Sequence, residues 1–295
     1  MARQLTITER SPQPSWQDVN DAIDEFHASS IKQRRIEIIQ QCVEWWTPVA
    51  VEWGQDWRYS RARQFADGIV PDNVRELIWP PKEFVRQGRL NATGQPMMYI
   101  GDRDFTALSE IDHRNGHAVV SRYSITNSVR LLPVGEMTSI QRSGRGHFLQ
   151  DQSDALTGML NACDYSDALT LVTIDAFLAD TMAAPECDYD ETNAISSAMF
   201  AKDPTAKGIG YPSVKCRGGM NLALKVENFW NDWHLNMVTI ADYRSAGHSV
   251  YRPLSRRNAT GITNCGDIYW SEPEDEVRSN LLLSPFMPSS TFPLR

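Results

Sequence analysis

Strand-like segments occur on both sides of a central block of helical sequence, and this order restricts the fold more than any other feature of the 295-residue chain. Short apolar runs that suit buried strands come before the block and recur after it, whereas the block has apolar residues at helical spacing. Separated strands with helices between them are typical of a mixed α/β or α+β domain. Strands are predicted at 96–101, 117–125, 129–134, 209–214, 220–226 and 235–243, and helices at 105–111, 166–183 and 193–202.

Two more helices are predicted near the N-terminus. Ser15 can cap the first, with Asp18 in its first turn, and the second ends before Pro48 because the residue before a proline avoids helical backbone angles. Amphipathic helices usually bury their apolar stripe, so we expect this pair to pack on the main domain. The apolar positions are Val19, Ile23 and Phe26 in the first helix and Ile31, Ile38, Ile39, Cys42, Val43 and Trp46 in the second.

These patterns divide the chain into three segments. Residues 1–52 are expected to form a loose arm and a helical extension, and residues 53–250 the main domain. Residues 251–295 are expected to form a tail that either packs on the surface of the domain or is partly disordered, because prolines and polar residues are frequent there. Within the main domain, Asp102 or Asp104 is predicted to cap the helix at 105–111.

The charge of the chain argues against nucleic acid as a direct partner. The formal net charge is −8, and neutralising phosphate groups requires a basic surface. The first 15 residues are polar and lack the apolar region of a signal peptide, and no apolar run approaches the ~20 residues that span a membrane. We therefore expect a cytoplasmic protein without membrane contact.

No metal site is predicted from the residues that usually ligate metals. The five cysteines are scattered and no pair has CxxC spacing, which argues against a zinc site or a disulfide framework. His113 and His117 have the spacing of some helical metal sites, but Asn115-Gly116 would break the required helix. The glycine-rich loops of P-loop and dinucleotide-binding folds are missing from the sequence too.

Five short motifs follow one another between residues 57 and 230. They are Arg61-Ala62-Arg63, Gly88-Arg89-Leu90-Asn91, Met98-Tyr99-Ile100, Thr106-Ala107-Leu108-Ser109-Glu110, and Gly210-Tyr211-Pro212-Ser213 with Gly219-Met220-Asn221-Leu222. In this order they resemble the RES domain family, which is named after an arginine, a glutamate and a serine. The resemblance implies an ADP-ribosyltransferase-like β-sheet core with surrounding helices, and an enzyme that consumes NAD. It also implies the toxin of a toxin–antitoxin pair, with an Xre-type antitoxin as partner.

The chain departs from the family pattern at two positions. The family usually has an aromatic residue directly before its first arginine, and here Ser60 separates Tyr59 from Arg61. Leu90 stands where an aromatic residue is frequent. The family arginine is therefore either Arg61 or Arg63, and we prefer Arg61.

The chemistry of NAD cleavage assigns a role to a carboxylate in these motifs. Breaking the nicotinamide–ribose bond spreads positive charge over the ribose, and a nearby carboxylate stabilises that charge. Glu110 is the candidate, and the predicted catalytic set is Glu110, Arg61 and Ser213. NAD is expected as the substrate, and the sequence leaves open whether water, inorganic phosphate or a protein side chain accepts the ADP-ribose.

The remaining motif residues are candidates for binding NAD. Arginine forks bind phosphate groups bidentately, so Arg61 and Arg89 are expected to contact the pyrophosphate. Tyr99 can stack on the nicotinamide or orient the ribose through its hydroxyl group. Ser213 is expected to donate a hydrogen bond to the ribose or the nicotinamide amide, and Asn221 is a weaker contact candidate.

Two other classes of protein remain as alternatives. A RES-like fold without catalysis could act as an interaction module, with the acidic stretch 272–276 and the N-terminal helices carrying the binding. A nucleic-acid enzyme is disfavoured by the net charge, because its basic residues would be few. Those residues are Arg142, Arg145, Arg256 and Arg257.

Overall fold

The computed structural model describes residues 5–54, 57–66, 69–186 and 188–273. The helices are α1 (Ile7–Arg10), α2 (Trp16–Ala28), α3 (Lys32–Trp45), α4 (Asp104–Glu110), α5 (Glu136–Ser143), α6 (Ser153–Asn161), α7 (Tyr165–Ala183), α8 (Tyr189–Lys202) and α9 (Phe229–Asp232). The strands are β1 (Val51–Trp53), β2 (Arg58–Gln64), β3 (Met97–Gly101), β4 (Asn115–Ile125), β5 (Val129–Pro133), β6 (Gly208–Pro212), β7 (Met220–Lys225), β8 (Trp233–Gly247), β9 (Val250–Ile262) and β10 (Ile268–Trp270).

The order of strands and helices confirms the predicted α+β class. All six strands predicted between residues 96 and 243 are present. For the described part of the predicted tail, the alternative of disorder is wrong, because that part forms β9, which pairs with β8, and β10. The rest of the predicted tail, including residues 274–276 of the acidic stretch, lies outside the described residues.

The chain divides into two compact units, which do not follow one another along the sequence. The first unit contains the residues up to Val51, Gln87–Ala92 and Arg130–Pro212. The second unit contains Glu52–Arg86, Thr93–Val129 and the residues from Ser213 onward. The three-segment division expected from the sequence stays a prediction.

In the first unit, the N-terminal helices pack on α7 and α8, as expected from their apolar stripes. The ring of Phe26 in α2 makes an edge-on contact with the ring of Phe177 in α7, with centroids 5.0 Å apart. Arg35 in α3 forms an ion pair with the buried Glu191 in α8, with Nε and Oε1 2.6 Å apart. Ser15 caps α2 as predicted, by accepting a hydrogen bond from the backbone of Asp18.

In the second unit, seven strands form an antiparallel sheet in the order β7-β3-β2-β4-β8-β9-β10. Strands β2 and β3 pair at a single position, Ser60 with Gly101, whereas β2 and β4 pair along seven residues. The short helix α4 lies on one face of this sheet. Its residues Ala107 and Leu108 belong to a buried cluster with Ala62, Ala118, Val120, Ala241, Tyr243 and Tyr251.

The predicted cap of α4 is wrong. The residue at the cap position is Arg103, which makes no capping hydrogen bond with its side chain. Asp104 is instead the first residue of the helix and forms an ion pair with Arg122 in β4. Asp102 accepts a hydrogen bond from Thr106 Oγ1 at 2.5 Å. Both carboxylates thus have side-chain partners in place of the backbone N–H groups of the first turn.

Candidate active site

Glu110 is the last residue of α4, and its carboxylate accepts hydrogen bonds from two residues that are distant in the sequence. Ser213 Oγ donates to Glu110 Oε1 at 2.5 Å, and Asn221 Nδ2 donates to the same oxygen at 2.7 Å. Within the described ranges, no group donates to Glu110 Oε2. Glu110 is half-buried, and its carboxylate thus has one oxygen anchored by two donors and one oxygen without a donor among the described residues.

A turn between β6 and β7 orients Ser213. Its backbone N–H donates to the carbonyl oxygen of Gly219 at 2.8 Å, which closes the turn. The Ser213 hydroxyl oxygen accepts a hydrogen bond from the backbone N–H of Cys216 at 2.9 Å. The hydroxyl group therefore accepts from the turn and donates its own proton to Glu110, so its rotation is restricted.

Strand pairing orients Asn221. In the register between β3 and β7, Asn221 lies opposite Gly101. A side chain on Gly101 would point at Thr106 in α4, which shows that this face of the sheet is the one covered by the helix. Residues opposite each other in an antiparallel pair share a face, so Asn221 extends toward α4 and reaches Glu110 while being almost fully buried.

Close packing around Thr106 sets the distance between the turn and the helix. Thr106 is fully buried. A Cβ atom added to Gly219 would lie 2.6 Å from Thr106 Oγ1, and one added to Gly101 would lie 3.0 Å from Thr106 Cγ2. A side chain at Gly219 would therefore force Thr106 or the turn to move, and one at Gly101 would make a tight contact with Thr106.

Sequence reasoning missed the residues that hold the first turn of α4 on the sheet. Ser60 Oγ donates to Asp104 Oδ1 at 2.6 Å, and Arg122 Nε donates to the same oxygen at 2.9 Å. Ser60 and Arg122 are paired residues of β2 and β4. The sequence did contain a signal for these two residues. Ser60 and Arg122 are polar residues at strand positions that face the helix, and a polar side chain at a buried position needs a hydrogen-bond partner.

The same register separates Arg61 from Glu110. Ser60 and Ala62 face α4, so Arg61, which lies between them in β2, points to the opposite face. Arg61, Glu110 and Ser213 are predicted from the sequence to form one catalytic set. The structure joins Glu110 to Ser213 and Asn221, and Arg61 does not contact this carboxylate.

Arg61 contacts the neighbouring strand through its guanidinium group. Arg61 Nη1 donates to the carbonyl oxygen of Tyr99 in β3 at 2.8 Å. Burial, and then the charge of Arg63, lower the pKa of Arg61 to about 10. Tyr99 itself is half-buried and shares the α4 face with Gly101, two residues further along β3. Arg61 thus links β2 to β3 where the two strands have stopped pairing.

Arg89 lies in the first unit, where its guanidinium group binds backbone carbonyls. Its Nη1 donates to the carbonyl oxygens of Met182 at 2.5 Å and Ala184 at 3.2 Å. These contacts hold the C-terminal end of α7. The expected contact between Arg89 and a pyrophosphate stays a prediction.

His113 and His117, which have the spacing of a helical metal site, do not lie on a common helix, as expected from Asn115-Gly116 between them. His117 lies in β4, and His113 lies before that strand, so no helix aligns the two rings. In the described ranges, no group of three or more histidine, cysteine, aspartate or glutamate residues could hold a metal ion. The four described cysteines, Cys42, Cys163, Cys216 and Cys265, are free thiols.

The fold and the site together define an α+β protein with a carboxylate held by a serine and an asparagine. The RES domain model matches residues 57–231, and the chain therefore belongs to the RES domain family. None of the curated proteins compared with the chain matches it. No helix in the described part of the chain has the length and apolar character needed to cross a bilayer.

Proposed function

We propose that this protein cleaves the nicotinamide–ribose bond of NAD, with Glu110 as the residue that stabilises the charge on the ribose. The observation that carries the proposal is the carboxylate of Glu110, whose Oε1 is held by Ser213 and Asn221 and whose Oε2 has no donor among the described residues. Membership of a family whose NAD-consuming members have an arginine, a glutamate and a serine supports it.

The proposed reaction breaks the bond between ribose C1′ and the nicotinamide nitrogen. The electron pair leaves with nicotinamide, which becomes neutral, and the positive charge spreads over C1′ and the ring oxygen of the ribose. A carboxylate fixed beside the ribose stabilises this charge without reorganising during the reaction. A lone pair of the acceptor then bonds to C1′, and the acceptor loses its proton.

The biological role that we propose is a toxin acting on cytoplasmic NAD and restrained by an Xre-type antitoxin. Water, inorganic phosphate and a protein side chain all remain as acceptors. Incubating the purified protein with NAD, with and without phosphate, and separating the products by chromatography identifies the acceptor. Intact NAD under every condition, with folded protein, would contradict the proposed activity and favour the alternative of an interaction module.

The central test is Glu110→Gln, which keeps the size of the side chain and removes its charge. We expect NAD cleavage to fall by roughly 100-fold or more, as for other groups that stabilise transition-state charge. Glu83→Gln is the matched control, since Glu83 is an exposed glutamate outside the site. Expression of the wild type should lower cellular NAD and stop growth, and Glu110→Gln should relieve both effects. Undiminished turnover by Glu110→Gln would reject the role of Glu110.

A further inference from the structure

The hairpin between β8 and β9 turns through two residues that rarely adopt its backbone conformation. Gly247 and Val250 are paired, so His248 and Ser249 form the whole loop. Their φ angles are both positive, at 53° and 59°, as in the type I′ turns that join antiparallel strands. Such turns favour asparagine at the first position and glycine at the second, because most other residues are strained there. A serine in the place of that glycine is favourable only with a compensating contact.

The side chain of Ser249 makes a contact that a glycine could not make. Its Oγ donates a hydrogen bond to the carbonyl oxygen of Lys215 at 3.1 Å. Lys215 lies within the turn between β6 and β7, the turn that orients the Ser213 hydroxyl group toward Glu110. The strained end of the hairpin is therefore bonded to the segment that carries Ser213.

Tyr251, two residues further along the hairpin, contacts helix α4. Its hydroxyl oxygen lies 3.3 Å from Ser109 Oγ. Ser109 donates its own proton to the carbonyl oxygen of Phe105 at 2.7 Å, so Tyr251 is the donor to Ser109. The rings of Tyr251 and Phe105 also pack against each other, with centroids 5.9 Å apart. Because Ser109 directly precedes Glu110, this contact fixes the part of α4 that carries the carboxylate.

The hairpin lies outside residues 57–231, the part of the chain that the RES domain model matches, so family membership assigns it no role. We propose that Ser249 and Tyr251 are positioning residues that keep the turn and α4 in place, so that Ser213 stays bonded to Glu110. The importance of these contacts for NAD cleavage rests on the proposed function. A carboxylate stabilises developing charge best when it is fixed before the reaction, and the hairpin fixes both segments of the site.

Hydrogen–deuterium exchange of the full chain, without NAD, tests whether the hairpin holds the turn. The backbone amides of Ser213, Cys216 and Gly219 each donate a hydrogen bond within the turn, and their exchange reports its local opening. We expect Ser249→Gly to accelerate their exchange several-fold and to leave the rest of the chain unchanged. The matched control is His248→Gly, at the exposed first residue of the same loop, which should leave exchange in the turn unchanged. Both variants put glycine where φ is positive, so both should melt at the wild-type temperature or higher.

Kinetics with NAD separate a positioning role from general support of the fold. Ser249→Gly should lower kcat by about threefold to tenfold, which corresponds to the loss of one neutral hydrogen bond, and should leave KM unchanged. Tyr251→Phe keeps the ring and removes the hydroxyl group. It should lower kcat to a similar extent and accelerate exchange in α4 instead of the turn.

The outcomes distinguish the hairpin's role from the proposed function. If Ser249→Gly matches the wild type both in exchange at the turn and in kcat, the proposal is overturned. Faster exchange along the whole chain with a lower melting temperature would overturn it too, since the contact would then support the fold in general. If the wild type leaves NAD intact, the proposed function is contradicted, whereas faster exchange confined to the turn in Ser249→Gly would still support the positioning of the turn by the hairpin.

Discussion

At the scale of single residues, the two oxygens of Glu110 have different surroundings, and this difference makes the site testable. Oε1 accepts both side-chain hydrogen bonds, so a substitution of either donor changes how the carboxylate is held without removing its charge. Ser213 and Asn221 are therefore positioning residues for Glu110 in the structure. A direct contact of either residue with NAD stays a prediction.

Asn221→Ala is expected to reduce NAD cleavage by about 10- to 100-fold, because a hydrogen bond to a charged group contributes about 1.5–3 kcal/mol. The main effect should be on kcat, since the carboxylate loses its orientation while the substrate contacts remain. Steady-state kinetics of Asn221→Ala check this, with Asn231→Ala at an exposed position of α9 as the control. Equal kcat values for the two variants would contradict the positioning role.

At the scale of elements, the site depends on how closely the turn after β6 approaches α4. Gly219 and Thr106 set this distance, because no side chain fits between them. Gly219 and Thr106 have no role in the proposed reaction. The pattern of residue types along the chain does not indicate that the turn and the helix approach each other so closely.

Gly219→Ala is expected to lower both stability and activity, because its Cβ would lie 2.6 Å from Thr106 Oγ1. Forcing extra volume into a packed site typically costs about 1–3 kcal/mol. Thermal melting and NAD turnover measure the two effects. The double variant Gly219→Ala/Thr106→Ala should recover part of the stability and part of the activity, since it removes the atoms that clash.

The control is Gly158→Ala, at a helical glycine of α6 with open space around it, which should melt at the same temperature as wild type or slightly higher. Lack of recovery in the double variant would argue against this explanation.

Element prediction failed where a strand has an irregular pairing. β9 contains Pro253 and several arginines, which suggest a loop when they are considered alone. In the sheet, Pro253 lies opposite Tyr243, directly beside a bulge in the pairing of β8 with β9. A proline is tolerated at such a bulge because its missing N–H is not needed by the ladder.

At the scale of the whole molecule, the stability of the fold is expected to depend on pH through the buried His113 and the half-buried His234. His113 is almost fully buried, and its ring lies near those of Tyr243 and Tyr251, with centroids 6.1 and 6.3 Å away. Burial lowers the pKa of His113, and hydrogen bonds with the backbone of Gly116 and Tyr243 and the charge of Asp242 oppose this effect only in part. Burial also lowers the pKa of His234.

The stability is expected to decrease on acidification, because the unfolded chain binds the His113 proton more tightly than the folded protein does. An unfolded chain protonates histidine with a pKa near 6.5, above the pKa of His113 in the folded state. The unfolded state therefore binds more protons as the pH falls below about 6.5, and stability that is fully present above this pH is lost on acidification. The free energy of unfolding, measured by denaturant titration at pH 7.5, 6.5 and 5.5, should decrease in that order. His113→Gln should make the decrease in the free energy of unfolding shallower, by no more than about 1.4 kcal/mol per pH unit. His147→Gln, which changes an exposed histidine, should leave the decrease as it is in the wild type. An unchanged slope in His113→Gln would exclude His113 as a source of the pH dependence.

The sequence by itself determined the α+β class and six of the strands, and its motifs contained Glu110, Ser213 and Asn221, whose side chains meet in the structure. These features follow from local periodicity and from short motifs, both of which are properties of neighbouring residues. The tertiary structure alone decided which face of the sheet each side chain occupies, and it separated Arg61 from Glu110. The face of the sheet that a side chain occupies depends on the register between strands. That register is set by contacts between segments far apart in the chain.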